Sequence, residues 1–318
     1  MTSIILGGPG QDAFLLGELL VSKSEPFFIT CRRFDLPRYY NKFLSNTIQI
    51  DLTQSHAVDT LIEKINPTHI YNFAGISNIS ESFENPAHTI GINTQIHINI
   101  LESSRIYCPK AKIYFASSIE HLKGDSPYGL SKTLCMNINE YYKAKHNLFI
   151  GSGINCQHNS KYRGESFFWG KVCSYIAKLK KFLETNKNIT YNTTSIQSGP
   201  KTFNKLKLGN LEVSRDIISA QDAVLAAKLI LEKGNPDSYI VSSGHLYSNK
   251  LILELAFKEI GIGDWTKYCY EDKSLFRPKD DEGTIYYSDK LTKDTGWKPT
   301  VSVENLLKES IEYIYESS

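Results

Sequence analysis

The sequence predicts an α/β fold, in which a doubly wound parallel sheet is joined to a smaller, interleaved second lobe. Three observations support this prediction. A short apolar run at the start of the chain leads into a glycine-rich turn and then into a helical pattern. Strand-like and helix-like segments alternate as far as about residue 154, and polar or glycine residues recur where the strands end.

The first element is a strand at residues 3–6, an apolar run that stops at Gly7-Gly8-Pro9-Gly10. A helix follows, because apolar residues recur at helical spacing from Phe14 to Leu20. Strand, tight turn and helix in this order are typical of the start of a βαβ unit.

The remaining elements continue the alternation. Runs of β-branched, aromatic and aliphatic residues predict strands, and longer periodic segments predict helices, one of which is ended by Pro67. The predicted strands are residues 27–30, 47–50, 69–73, 112–115 and 148–154. The predicted helices are residues 56–65, 87–104, 128–145 and 219–233. Parallel βαβ units of this kind bind ligands at the carboxyl ends of their strands.

The turn after the first strand has the pattern GxxGxxG with alanine in the last place. Small residues let the backbone approach a pyrophosphate, and the helix N-terminus offers N–H groups and a favourable dipole. An ordinary glycine turn is the alternative, but the preceding strand and the N-terminal position favour a dinucleotide site of the Rossmann type. Its candidate residues are Gly7, Gly10, Gln11 and Asp12.

Arg32 and Arg33 follow the strand at residues 27–30. At this place an acidic residue binds the ribose 2′-OH of NAD, whereas arginine suits the 2′-phosphate of NADP. NADP is therefore the expected cofactor, while a solvated basic loop is the alternative and nearby Asp35 keeps NAD open. The other cofactor-binding candidates at strand ends are Asp51, Leu52, Ala74 and Gly75.

The second half of the chain is less regular, and residues 188–204 are polar and β-branched with no helical period. We expect residues 1–155 with about 208–235 to form a dinucleotide-binding domain. Residues 156–207 with about 236–318 are expected to form a substrate-binding lobe.

Composition excludes several classes of protein. The 36 basic and 34 acidic residues give a net charge of +2, which makes no electrostatic case for a nucleic-acid partner. We expect no targeting segment and no membrane span, since no apolar stretch approaches the ~18 residues that a span needs. Six scattered cysteines without a CxxC pair indicate reduced thiols and a cytoplasmic protein, and histidine spacing predicts no metal site.

A second constellation carries the chemistry. Tyr128 and Lys132 are four residues apart and so lie on one helix face, where an ammonium favours the phenolate form of the tyrosine. This spacing also occurs at two other places, but only this pair follows the strand end at Ser118 and opens a helix at Ser126-Pro127. Glu120 is either a solvated loop carboxylate or a second base in the same pocket.

Cations from the second lobe are candidates for a diphosphate clamp. Lys171, Arg215 and Arg277 could each be an ordinary surface charge, or together could bind a phosphorylated small molecule.

Together these motifs resemble the extended short-chain dehydrogenase/reductase family, and more narrowly the GDP-mannose 4,6-dehydratases and their close relatives. The likeness covers nearly the whole chain. The segments that carry it are residues 7–15, 31–33, 51–53, 71–75, 116–120, 126–129, 157–165, 208–216, 276–278 and 296–299. The stretch at 208–216, Leu-Gly-Asn-Leu leading to Arg215-Asp216, is the most specific to the dehydratase subgroup.

The resemblance implies roles for single residues. Ser118 matches a residue that hydrogen-bonds the reacting sugar oxygen, and Glu120 matches the carboxylate that serves as acid and base. Tyr128 matches the base, and Lys132 its partner, which also binds the nicotinamide ribose. The residues implied to bind the substrate are Ser77, Gln157, Lys171, Arg215, Arg277 and Glu282.

Two departures from the family pattern bear on the substrate. Glu120 and Tyr128 are only eight residues apart, whereas dehydratases usually carry a much longer insertion that helps to cover the sugar. Gln157 stands where asparagine is usual. Other GDP-sugars, such as a heptose, therefore remain open.

The implied activity is a nucleotide-sugar 4,6-dehydratase acting on GDP-mannose or a related GDP-sugar with internally recycled NADP. One alternative is a 4-reductase or epimerase of the same family, which the short connection favours and Glu120 disfavours. Another is a non-catalytic dinucleotide-binding protein, which would not need Ser118, Tyr128 and Lys132. The resemblance also implies a homodimer or homotetramer, with the helix at residues 87–104 as a candidate interface.

Overall fold

A computed structural model of the chain describes residues 2–276 and 283–317. In chain order its strands are β1 (Ser3–Gly8), β2 (Phe27–Cys31), β3 (Thr47–Gln49), β4 (His69–Asn72), β5 (Lys112–Ser118), β6 (Phe149–Asn155), β7 (Gln157–Asn159), β8 (Thr190–Tyr191), β9 (Ser195–Ser198), β10 (Lys201–Asn204), β11 (Leu206–Leu208), β12 (Ser214–Ser219), β13 (Ser238–Val241), β14 (Leu246–Ser248) and β15 (Cys269–Glu271).

The helices are α1 (Gln11–Ser22), α2 (Ser55–Ile65), α3 (Ile79–Glu84), α4 (Pro86–Tyr107), α5 (Glu120–Lys123), α6 (Pro127–His146), α7 (Phe168–Thr185), α8 (Ala220–Lys233), α9 (Asn249–Lys258), α10 (Asp289–Thr295) and α11 (Val303–Ser317). Short 3-10 helices cover Arg38–Asn46, Trp265–Lys267 and Lys273–Leu275.

A seven-stranded sheet forms the first part of the fold. Its order is β13-β6-β5-β4-β1-β2-β3, and every neighbouring pair is parallel. Helices α2, α4 and α6 pack against one another in one group, and α1, α8 and α10 form another. The chain moves outward from β1 in both directions, so the predicted doubly wound α/β fold is confirmed.

The central strands β1 and β4 are largely buried, as their near-continuous apolar runs predict, whereas the edge strand β3 is partly exposed. Ile4 and Ile70 are fully buried in one apolar cluster, together with Ile100 of α4 and Ile113 of β5. Burying such side chains contributes roughly 1.5–3 kcal/mol each, which fixes the register of the sheet and the positions of its strand ends.

The chain divides into two compact units. The first contains Met1–Cys156, Ala220–Ser242 and Tyr287–Pro299, and the second contains Gln157–Ser219, Ser243–Tyr286 and Thr300–Ser318. These bounds differ from the predicted ones in three places. Residues 208–219 belong to the second unit because β12 pairs with β7 and β14. Residues 236–242 and 287–299 belong to the first, because β13 extends the large sheet beside β6 and α10 packs on α8.

The second unit has its own core, formed mainly by α7, α9 and α11. Within this core Trp169 donates a hydrogen bond from Nε1 to Ser310 Oγ at 3.2 Å. The polar run at residues 188–204 folds into the antiparallel strands β8, β9 and β10. Within the described ranges, no helix combines the length and the apolar character that crossing a membrane requires.

Candidate active site

The glycine turn after β1 packs closely against the backbone that follows β4. Gly7 has φ +116°, a region open mainly to glycine, and a Cβ there would lie 2.7 Å from the carbonyl carbon of Phe73. Gly10 is the N-cap of α1, and in the described part of the chain no side chain caps that helix. The first turn of α1, with Gln11 and Asp12, begins directly after Gly10, and the positive end of a helix dipole suits an anion.

Tyr40 supports this turn from a distant point in the sequence. It is fully buried in the 3-10 helix that follows β2, and its hydroxyl donates to the carbonyl oxygen of Gly10 at 2.9 Å. Its ring packs on Phe14 of α1, with centroids 5.2 Å apart. Tyr40 was missed by sequence reasoning, since nothing in the local pattern links it to a loop thirty residues earlier.

Arg32 and Arg33 lie directly after β2, as predicted, and both are exposed. Asp51 follows β3 and is also exposed, and its carboxylate accepts hydrogen bonds from the amide and hydroxyl of Thr53. These bonds, helped by the charge of Arg32, lower the pKa of Asp51. Leu52 is buried beside it. Two arginines and a carboxylate therefore lie at the ends of neighbouring strands.

The loop after β4 is held in place by Asn93 of α4. The side chain of Asn93 accepts from the amide of Ile76 at 2.8 Å and donates to the carbonyl of Ile76 at 3.1 Å. It also donates to Ser131 Oγ on α6 at 2.9 Å. Gly75 has φ +146°, and a Cβ there would lie 2.8 Å from Asn93 Oδ1. The Ala74-Gly75 turn is thus fixed to α4 and, through Asn93, linked to α6, the helix that carries the candidate catalytic pair.

A chain of buried side chains joins the same loop to α6. Asn139 donates to Ser152 Oγ, so its Oδ1 faces His97 Nε2 at 2.6 Å. The other ring nitrogen, Nδ1, faces the amide nitrogen of Asn72 at 3.2 Å. Asn72 in turn accepts from the backbone amide of Ala74 at 3.0 Å. With these donors and acceptors, a neutral His97 that carries its proton on Nε2 donates to Asn139 and accepts from Asn72 through Nδ1, so both ring nitrogens have a hydrogen-bond partner.

The catalytic candidates lie at the end of β5 and the start of α6. Lys132 is buried, and its ammonium donates to the carbonyl oxygen of Ala116 at 2.7 Å. Burial lowers its pKa. The ammonium lies 5.7 Å from the ring centroid of Tyr128, which is also buried. The other two Tyr-x-x-x-Lys pairs lack this setting, since Tyr141 is 56% exposed and Lys290 forms an ion pair with Asp237.

Ser118 and Glu120 are brought to the same helix start. The amide of Glu120 donates to Ser118 Oγ at 3.3 Å. A Cβ at Gly129 would lie 2.5 Å from the Glu120 carbonyl oxygen, so only glycine allows this approach next to Tyr128. As the sequence indicated, Ser126 caps α6 by accepting from the amide of Gly129. The first unit therefore gathers all four predicted catalytic residues near the carboxyl end of β5.

The substrate-binding candidates are spread over both units. Ser77 lies in the loop between β4 and α3 of the first unit. In the second unit, Gln157 is in β7, Lys171 is in α7, and Arg215 of β12 donates from Nη1 to the carbonyl of Ser214 at 2.7 Å. Arg277 and Glu282 lie outside the described residues. In residues 2–276 and 283–317, no three His, Cys, Asp or Glu side chains are grouped as metal ligands.

This fold and this site define a class of protein, the extended short-chain dehydrogenase/reductases. Solved structures with the same fold include UDP-glucose 4-epimerase from Thermotoga maritima, determined with UDP-glucose. It superimposes with a TM-score of 0.83 over 100% of this chain and 99% of that chain, at 17% identity. The RMD protein of Pseudomonas aeruginosa, complexed with NADPH, has a TM-score of 0.79 over 100% of both chains, at 18% identity.

Sequence comparison narrows the class. The sequence model of the GDP-mannose 4,6 dehydratase family matches residues 4–186 and 181–310, so this chain belongs to that family. Curated relatives include GDP-mannose 4,6 dehydratase 2 of Arabidopsis thaliana, which is 28% identical over 96% of this chain and 84% of its own length. GDP-mannose 4,6-dehydratase of Vibrio cholerae is 23% identical over 97% of this chain and 92% of its length. The family resemblance seen in the motifs is confirmed.

Proposed function

We propose that this protein is an NADP-dependent nucleotide-sugar 4,6-dehydratase, which converts GDP-mannose or a related GDP-sugar to its 4-keto-6-deoxy form. Family membership supports the reaction class. The observation that carries the proposal within the chain is the position of Glu120, held by Ser118 and pressed against the residue that follows Tyr128. A reductase or epimerase needs the tyrosine but has no use for a second base at this place.

The roles of the residues follow from the chemistry of the sugar. Tyr128 takes the proton of the C4 hydroxyl, and Ser118 hydrogen-bonds the same oxygen. The resulting 4-keto group acidifies the C5 proton, which Glu120 removes and then gives to the departing C6 hydroxyl, so that water leaves. Tyr128 finally returns its proton to C5. A nicotinamide dinucleotide, held by the turn after β1 and by Lys132, would supply the hydride acceptor and donor that the reaction needs. Positioned acid–base groups of this kind contribute on the order of 10²–10⁴-fold each.

The test is to incubate the purified protein with GDP-mannose and catalytic NADP⁺ and to analyse the sugar by mass spectrometry. Loss of one water without net reduction of the cofactor is the expected result, because the hydride is returned within the same turnover. A sugar that stays unchanged across GDP-mannose, other GDP-hexoses and a GDP-heptose would overturn the proposal.

A 4-reductase or epimerase is the second candidate, and the short connection from Glu120 to Tyr128 favours it. The variant Glu120→Gln separates the two functions. It abolishes water loss in a dehydratase, whereas it leaves most activity toward a 4-keto sugar and NADPH in a reductase.

The preference for NADP over NAD is part of the proposal. It is supported by Arg32 and Arg33, which are exposed at the end of β2 and available to a 2′-phosphate. Binding of a dinucleotide is supported by the glycine turn between β1 and α1 and by the start of α1, which no side chain caps in the described residues.

We also propose a homodimer or homotetramer. The predicted interface helix, α4, carries the exposed apolar residue Ile98, and its neighbour α6 exposes Leu130 and Leu134. Exposed apolar side chains on adjacent helices are typical of an interface between copies. Light scattering that gives the mass of a single chain would contradict this.

All six cysteines are free and buried, which supports the expected location in a reducing compartment such as the cytoplasm.

A further inference from the structure

A single turn of helix, α5, begins at Glu120 and is fastened to α6; Tyr128 lies only eight positions after Glu120. Thr133 of α6 donates from its hydroxyl to the carbonyl oxygen of His121 at 3.1 Å. Gly129 allows the Glu120 carbonyl to approach α6 closely, as described above. Gly124 ends the turn with φ +66°, and its amide donates to the Glu120 carbonyl at 3.2 Å. The backbone on either side of the Glu120 side chain is therefore fixed.

Within this turn Lys123 lies one helical turn after Glu120, on the same face. Its ammonium is 3.3 Å from Glu120 Oε1. The two side chains are only 14% and 13% exposed, so the pair is largely shielded from water. Pairs on helix surfaces are usually weak because solvent screens them, but that screening is reduced here.

We propose that Lys123 is a positioning residue for the elimination half of the reaction. Its ammonium engages Oε1 of Glu120 and leaves the second carboxylate oxygen to take the C5 proton of the sugar. The inference rests on the proposed function, since it gives a partner to the base of that reaction. It also explains how a chain with so short a connection can orient this carboxylate.

The Lys123–Glu120 ion pair also depends on whether Glu120 holds the C5 proton of the sugar. A carboxylate beside an ammonium is attracted to it, whereas the protonated acid is not. Once Glu120 has taken the C5 proton, the ion pair is lost and is restored when the same proton passes to the departing C6 hydroxyl. Lys123 thus pairs with Glu120 before the C5 proton is taken and again after water has left. Removal of the C4 proton by Tyr128 does not involve this pair.

The test uses Lys123→Met, which keeps the length of the side chain and removes its charge. Enzyme in excess over GDP-mannose, with NADP⁺ already bound, is followed through one turnover by nicotinamide absorbance and by mass spectrometry of the sugar. Lys123→Met should reduce the cofactor at the normal rate and accumulate a sugar that has lost two hydrogens but no water. Water loss should slow on the order of ten- to a hundredfold, less than the ~10²–10⁴-fold that a general base supplies.

Three companion variants make the result specific. Lys143→Met is the matched control, because Lys143 pairs with Glu140 at the same i,i+3 spacing and is also 14% exposed, but lies near the end of α6. It should behave as wild type. Lys123→Arg should restore most of the rate of water loss, since it returns the cation. Glu120→Gln should show the same accumulation in a stronger form.

The outcomes separate this inference from the proposed function. If wild type loses water and Lys123→Met does so at the same rate, the proposed function stands and the inference fails. If Lys123→Met slows hydride transfer and water loss equally and melts at a lower temperature, Lys123 only stabilises the fold and the inference also fails. If the wild-type protein converts no GDP-sugar, the proposed function is wrong, and the inference, which rests on it, is wrong as well.

Discussion

At the scale of single residues, two glycines with positive φ show that conformation and space are separate requirements. Gly7 combines φ +116° with a neighbouring backbone atom 2.7 Å from where a Cβ would be. Gly296 ends α10 with φ +79°, but nothing lies within 4 Å of its Cβ position. Only at Gly7 would a side chain both strain the backbone and overlap a neighbouring segment of the chain.

We therefore expect Gly7→Ala and Gly296→Ala to differ. Gly296→Ala should lower the free energy of unfolding by roughly 1–2 kcal/mol, the cost of a left-handed conformation with a side chain, and leave NADP⁺ affinity unchanged. Gly7→Ala should cost more than its matched control, because the overlap with Phe73 adds to the strain, and should also weaken NADP⁺ binding. Urea unfolding and a cofactor titration measure the two effects, and equal unfolding curves for both variants would contradict the argument.

At the scale of elements, the sheet and two helices are joined through a buried polar network rather than by apolar packing alone. His97 of α4 contacts Asn72 of β4 and Asn139 of α6, and its ring packs on Phe115 of β5 with centroids 4.2 Å apart. Burial is the main reason that the pKa of His97 falls from its ordinary 6.5 to about 4. The folded protein therefore holds this ring neutral.

This network predicts how stability depends on pH. Because the folded pKa lies below the unfolded value, the unfolded chain binds more protons between about pH 4 and 6.5, and stability rises with pH across that window. The contribution is fully present above pH 6.5 and is lost as pH falls toward 4. Between pH 7 and pH 5 the loss should be about 2 kcal/mol. Burial also lowers the pKa of His69 and His121, which act in the same direction.

Urea unfolding at pH 7 and pH 5 checks this expectation. His97→Gln should be less stable than wild type at pH 7, because a buried partner left without its hydrogen bond costs about 1–3 kcal/mol. It should also lose the part of the pH slope that His97 contributes, while the parts from His69 and His121 remain. The control is His56→Gln, since His56 is exposed on α2 and its replacement should leave the slope intact. An undiminished slope in His97→Gln would mean that His97 does not contribute to the loss of stability in acid.

At the scale of the whole molecule, the sequence predicted six of the seven strands of the large sheet, because each is an apolar run that can be recognised without knowing its partners. The seventh, β13, was assigned to the other lobe. It predicted Ser118, Tyr128 and Lys132 as a group because strand ends and helix starts can be located from the same patterns. The bounds of the two units were less accessible, since they depend on pairing between β12 and β7 across more than fifty residues. Tyr40 and Lys123 were missed for different reasons, one being a long-range contact and the other hidden in a segment taken for a loop.

Binding of the cofactor is also a property of the whole molecule, because a ligand that binds only the folded state stabilises all of it. At about 100 times its Kd, NADP⁺ should raise the free energy of unfolding by about 2.7 kcal/mol. Replacing both Arg32 and Arg33 by alanine should remove most of this for NADP⁺ and leave the smaller effect of NAD⁺ unchanged, because hydrogen bonds between charged groups contribute about 1.5–3 kcal/mol each. Thermal unfolding with each dinucleotide measures the difference.

Arg105→Ala is the matched control, since Arg105 pairs with Glu102 on α4 and its replacement should change neither the NADP⁺ nor the NAD⁺ effect on stability. If the double variant weakens NAD⁺ as much as NADP⁺, the arginines contact a part that both dinucleotides share, and the preference for NADP must come from elsewhere.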